Sequence, residues 1–197
     1  MMLTRLTVLA AMLLAVGAAT PRSASAADPL DNVLLLDLKD GRATILLRPD
    51  LAPKHVERVK QLTREGFYNG IVFHRVIPGF MAQTGDPTGT GTGGSSYPDL
   101  PAEFSNKATF ERGTIGAARS NDPNSANSQF FIDFDAASSL NGKYTIWGQV
   151  IDGMGAVDKI APGEPPSNPD KIVKMTIAAD ADDASKAAAT NVLKAQQ

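Results

Sequence analysis

With 197 residues, the chain is long enough for one domain with its own hydrophobic core and too short for two ordinary ones. It carries 19 basic and 21 acidic residues, a net charge of −2, and no long run of either sign, which excludes the basic stripe a nucleic-acid partner requires. It has no cysteine, so a disulfide framework, a thiolate metal site, a cysteine nucleophile and a lipid-modified N-terminal cysteine are all excluded.

Residues 1–26 read as a cleavable export signal: Arg5 precedes the apolar stretch Leu6–Ala19, and Ala24-Ser25-Ala26 closes the segment with small residues. An uncleaved membrane anchor is the alternative, but the apolar stretch falls short of the about 20 residues a spanning helix needs. Cleavage would start the mature protein near Ala27 and remove Arg5 and Arg22, taking the net charge from −2 to −4. The expected destination is the periplasm, with secretion to the medium as the alternative. No stable membrane insertion is expected after cleavage.

Residues 27–179 are expected to form the functional domain. Two apolar runs, Asn32–Leu38 and Arg42–Arg48, flank Lys39-Asp40-Gly41, and the Asp-Gly pair predicts a hairpin. Ala52–Glu65 has Pro53 at a helix start, Val56, Val59 and Leu62 at helical spacing, and Gly66 where a helix would stop. From Phe67 to Gly155 the chain turns to short apolar runs, Gly70–Val76, Gly113–Ala118, Gln129–Asp133 and Tyr144–Val150, separated by turn residues. That pattern predicts an antiparallel sheet or barrel. Gly153–Ile160 is a candidate second helix and Lys171–Ala178 a closing strand. The Ala-rich, polar stretch 180–197 is expected to be a tail, helical or frayed.

The run Gly85–Gly94 invites a phosphate-binding reading, but it lacks a closing Lys-Ser/Thr pair, the dinucleotide glycine spacing and a long helix after it. It reads as an irregular loop. The two histidines, His55 in the helix and His74 beside Arg75, have no metal-ligand spacing, and His74 is expected to be a hydrogen-bonded structural residue rather than a general base. Neither a metal nor a cofactor is expected. Without a Gly-x-Ser-x-Gly elbow a hydrolase triad has no support either.

Two blocks stand out: Phe73-His74-Arg75-Val76-Ile77-Pro78-Gly79-Phe80-Met81-Ala82-Gln83 and Asn127-Ser128-Gln129-Phe130-Phe131-Ile132. Together they resemble the defining stretches of the cyclophilin-type peptidyl-prolyl cis/trans isomerases. The resemblance runs on through Thr88–Gly94, Gly113–Ala118 and Leu140-Asn141-Gly142-Lys143-Tyr144, and covers most of residues 33–178 in the family's order. It implies a mainly β fold, a closed eight-stranded antiparallel barrel capped by two helices.

The resemblance also implies a site. Arg75 would be the catalytic donor, with Gln83 orienting it and bonding the substrate carbonyl. Phe80, Met81, Phe131 and Leu140 would form the proline pocket, with Arg119, Ser120, Gln129 and Tyr144 as further substrate contacts. Three positions depart from animal members. Ser139 stands where they have a tryptophan that contacts cyclosporin, so weak cyclosporin binding is expected. Tyr144 replaces a histidine, and Arg119 a small residue beside the pocket. Trp147 aligns with a core strand. The implied substrates are proline-containing unfolded or partly folded polypeptides, bound by a monomer. The rival reading is a non-catalytic module that grips proline-containing segments, since fold alone does not establish activity.

Overall fold

The computed structural model describes residues 28–196. The export segment read at residues 1–26 lies outside them. The expected hairpin is β1 (Val33–Leu38) with β2 (Gly41–Leu47), paired from Val33↔Leu46 to Leu38↔Gly41. The helix α1 (Pro53–Arg64) follows. Its N-cap, Ala52, offers no side-chain acceptor, and Glu103 does that work from a distant loop, accepting from the N–H groups of Lys54 (3.1 Å) and His55 (3.0 Å). Glu103 also bonds the buried His55 ring at Nδ1, 2.6 Å away.

The remaining strands are β3 (Arg75–Ile77), β4 (Met81–Thr84), β5 (Thr114–Ala117), β6 (Phe130–Asp133), β7 (Ile146–Asp152) and β8 (Lys174–Ile177). All eight form one antiparallel sheet in the order β3-β4-β6-β5-β7-β2-β1-β8. The outer members β3 and β8 share no ladder. Their seam closes through the segments leading into them: Gly70 N–H donates to Ile172 O (2.7 Å), Ile172 N–H to Ile71 O (2.9 Å), and Phe73 N–H to Asp170 O (2.9 Å). Gly70–Val76, expected as one strand, is therefore divided, with a single bridge at Val72 and a ladder only from Arg75 onward.

Alternate residues of the strands fill the interior. Leu34, Leu36, Ile45, Phe73, Val76, Ala82, Ile115, Phe130, Ile132 and Trp147 belong to one core cluster, with Trp147 edge-on to Phe130 at 5.3 Å. The core position expected for Trp147 is the one found. The second helix is a single turn, α2 (Met154–Val157). Beyond it Lys159 and Ile160 bond only three residues back, and Pro162 follows, so the α-helical ladder has nothing to extend into.

Residues 183–194 form a further helix, α3 (Asp183–Lys194), whose N-cap Asp182 accepts from Ser185 N–H at 2.9 Å. Its Ala189 and Leu193 pack with Val33, Leu35 and Ala178. This contact covers the outer face of β1, whose apolar Val33-Leu34-Leu35-Leu36 run is buried on both sides.

Candidate active site

Strand register assembles the site. Arg75 lies opposite Gln83 in the β3–β4 pair, Gln83 opposite Phe131 in β4–β6, and Phe131 opposite Gly116 in β5–β6. These four residues make a row across the sheet, on the face turned away from the core. Gly116 has a steric reason: a Cβ there would overlap the rings of Phe131 and Phe110. Phe131 stacks on Phe110 (5.8 Å, 21°) and meets Tyr144 edge-on (5.9 Å, 83°). A second apolar cluster of Met81, Phe110, Ala118, Phe131 and Ile146 backs this face, with Phe80, Leu140 and Tyr144 at its margin.

Over the row opens a cavity of about 260 Å³, lined by Arg75, Phe80, Met81, Gln83, Ala118, Arg119, Phe131, Leu140 and Tyr144. Eight of the ten expected site residues thus meet in one place. Ser120 and Gln129 line the adjoining cavity of about 560 Å³, which shares Gln83, Ala118 and Arg119 with the first. Ser139 is exposed.

The hydrogen bonds add partners that the expected roles did not include. Among the described residues Gln83 makes no hydrogen bond to Arg75; its amide donates to Gln129 Oε1 at 2.9 Å. Gln129 in turn donates to Gly91 O (3.0 Å) and Gly93 O (2.8 Å), and so ties Gln83 to the glycine-rich loop. Arg75 instead donates through Nε to Glu164 Oε2 at 2.7 Å, an ion pair the sequence reading missed. The pairing depends on a contact 89 residues apart in sequence, and no local pattern marks it.

Arg119 is used by the protein itself. Its terminal nitrogens donate to Ser120 O and Lys143 O (2.8 Å each), and its guanidinium lies 4.4 Å above the Tyr144 ring. It clasps the loops on two sides of the cavity and fixes the Tyr144 rim.

The glycine-rich loop binds a carboxylate, and that carboxylate is its own. The buried Asp86 accepts from the N–H groups of Thr88 (2.7 Å), Thr90 (3.1 Å), Gly91 (2.6 Å) and Gly93 (3.1 Å), and from the Thr88 hydroxyl (2.8 Å). The donors that could cradle a phosphate are engaged within the chain. Burial pushes the Asp86 carboxyl up, but the bonds from Thr88, Gly93 and Gly91 outweigh it and hold the group at about 2.

His55 has a structural hydrogen bond, to Glu103, of the kind expected of His74. His74 does not: it is buried, and neither ring nitrogen has a partner among the described residues. Burial lowers the pKa of both rings. The His74 ring packs beneath Gly91, just before β3 begins.

A small pocket with apolar walls, an arginine at its lip and no nucleophile–base pair among the residues that line it suits the binding of an apolar ring. That is the architecture of a prolyl isomerase. The comparisons agree: the model of the cyclophilin type peptidyl-prolyl cis-trans isomerase family matches residues 33–177. A probable peptidyl-prolyl cis-trans isomerase of Brucella suis is 57% identical, with 87% of this chain and 94% of that protein aligned. The crystal structure of a cyclophilin from Hirschia baltica superposes with a TM-score of 0.71 at 28% identity, covering 79% of this chain and 77% of the other. That of a Cryptosporidium parvum cyclophilin type isomerase, determined in the presence of the dipeptide Ala-Pro, gives 0.70 at 30% identity, covering 74% and 98%. The chain belongs to the cyclophilin-type peptidyl-prolyl cis/trans isomerase family. It is an isomerase of X-Pro peptide bonds.

Proposed function

We propose that the chain accelerates X-Pro isomerisation in exported proteins, in the periplasm, with Arg75 as the catalytic donor. The reaction rotates an amide with partial double-bond character over a barrier of about 18–20 kcal/mol, and no covalent bond breaks. As the amide twists, resonance is lost and the prolyl nitrogen gains lone-pair character. A donor at that nitrogen binds the twisted amide more tightly than the planar one, and this difference in binding lowers the barrier. Guanidinium suits the task because it stays protonated and presents its N–H groups in a plane.

In this reading the proline ring enters the pocket of Phe80, Met81, Phe131 and Leu140 and is held still while the preceding residue rotates. Gln83, fixed by Gln129, bonds the substrate carbonyl. Tyr144 supplies the rim, and Ser120 and Gln129 line the course of the chain before proline. The observation that carries the reading is the row Arg75–Gln83–Phe131, which sets a permanent cation beside an apolar pocket wall. The export signal read at residues 1–26 supports the location, and the proteins folding there are the proposed clients. The proposed form is a monomer. Ser139 supports weak binding of cyclosporin.

The test is the rate of cis-to-trans conversion of a short X-Pro peptide by the chain from Ala27 onward, against Arg75→Ala under identical conditions. A fall of at least tenfold, about 1.4 kcal/mol of transition-state stabilisation, supports the donor role. Unchanged catalysis by a folded Arg75→Ala protein refutes it.

A further inference from the structure

The guanidinium of Arg75 must be held with particular nitrogens toward the substrate, and the segment between α2 and β8 supplies the hold. Val76 N–H donates to Gly163 O (2.8 Å) and Gly163 N–H to Val76 O (2.9 Å), a reciprocal antiparallel bridge. In such a bridge the flanking residues Arg75 and Glu164 are cross-strand neighbours. The other end of the segment is fixed as well, since Phe73 N–H donates to Asp170 O (2.9 Å) and the Asp170 carboxylate accepts from Ala161 N–H (2.9 Å). Pro162, Pro165 and Pro166 restrict the backbone between these ties. Gly163 is at φ 145°, where a Cβ would also overlap Pro166, so the turn that presents Glu164 requires glycine.

The bond from Arg75 to Glu164 uses Nε, and among the described residues it is the only hydrogen bond that this guanidinium makes. The two terminal amino groups are left for the pocket that Arg75 lines. A long arginine side chain has many rotamers, and a carboxylate locked opposite Nε selects those that aim the terminal nitrogens at one place.

We propose that Glu164 is a positioning residue for this isomerase: it holds Arg75 by Nε and thereby directs the terminal N–H groups to the prolyl nitrogen. The inference rests on the reading of Arg75 as the donor. Both members of the pair are half exposed, so the pair contributes little to stability and its loss should be felt in catalysis instead.

The experiment compares the parent with Glu164→Ala, Glu164→Gln, Arg75→Ala and the double variant Glu164→Ala/Arg75→Ala, in the chain from Ala27 onward. Exchange NMR on an X-Pro peptide gives kcat and KM, and the Arg75 Nε–H signal reports the hold directly. Expected are a three- to tenfold fall in kcat for Glu164→Ala with KM within twofold, and partial recovery in Glu164→Gln, which keeps an acceptor. The melting temperature should be unchanged, the Nε–H signal should be lost to exchange in Glu164→Ala, and the double variant should match Arg75→Ala. A Glu164→Ala protein with parental kcat, or with its Arg75 Nε–H signal intact, overturns the positioning role while Arg75→Ala stays inactive. An active Arg75→Ala overturns the donor reading, and the inference falls with it.

Discussion

Asp133 holds a carboxyl where the fold offers it nothing. It is fully buried at the end of β6, paired in register with Met81, on the same face as Phe131, and neither oxygen has a partner among the described residues. Burial pushes its pKa from 3.8 up to about 8, so the native state keeps a proton that the unfolded chain releases. Between pH 3.8 and 8 the native state therefore binds more protons than the unfolded one, and stability must fall as pH rises through this window. For one proton the slope is about 1.4 kcal/mol per pH unit. Asparagine at this position cannot ionise, so the stability difference between Asp133→Asn and the parent should widen by about 2.7 kcal/mol from pH 5 to pH 7. For a domain of this size that corresponds to about 5–10 °C in relative melting temperature. Urea unfolding of both proteins across this range measures it, and taking the difference removes the contributions of other titrating groups. Parallel pH profiles would refute the claim that Asp133 is protonated in the native state.

Other perturbations test the site and its supports. Gly116→Ala puts a methyl group into the Phe131 and Phe110 rings, so kcat/KM for an X-Pro peptide should fall at least tenfold and stability by about 1–3 kcal/mol. Asp86→Ala removes the acceptor that gathers the glycine-rich loop; because the Asp86 pKa is depressed to about 2, its contribution of about 2 kcal/mol is present above pH 4 and lost as pH falls toward 2. Acid unfolding of parent and variant should converge at the low end, and a constant gap would count against it. Ala189→Glu forces a charge between α3 and β1, where Ala189 is 1% exposed, and should destabilise by at least about 2 kcal/mol by thermal unfolding. The catalytic constants of the folded fraction should not change, since no pocket residue packs on α3.

The sequence by itself determined the sheet, because alternating short apolar runs broken by Gly, Asn and Pro have no other economical way to bury one face. Asp40-Gly41 announced the hairpin for the same local reason, and Pro53 with Val56, Val59 and Leu62 announced α1. Two contiguous blocks held most of the site, since Arg75, Phe80, Met81 and Gln83 sit on one hairpin, Phe131 on β6 and Gln129 just before it. Only the tertiary structure decided the partners. Glu164 reaches Arg75, Glu103 caps α1, and Gln129 rather than Arg75 receives Gln83, each through chain segments far apart in sequence. The unbroken apolar run of β1 reports that both of its faces are buried, but not that residues 183–194 cover the second. Local pattern records how much surface must leave water. Which group meets it there is settled only when loops and strands distant in sequence are brought together, because hydrogen bonds and ion pairs depend on distance and angle in space.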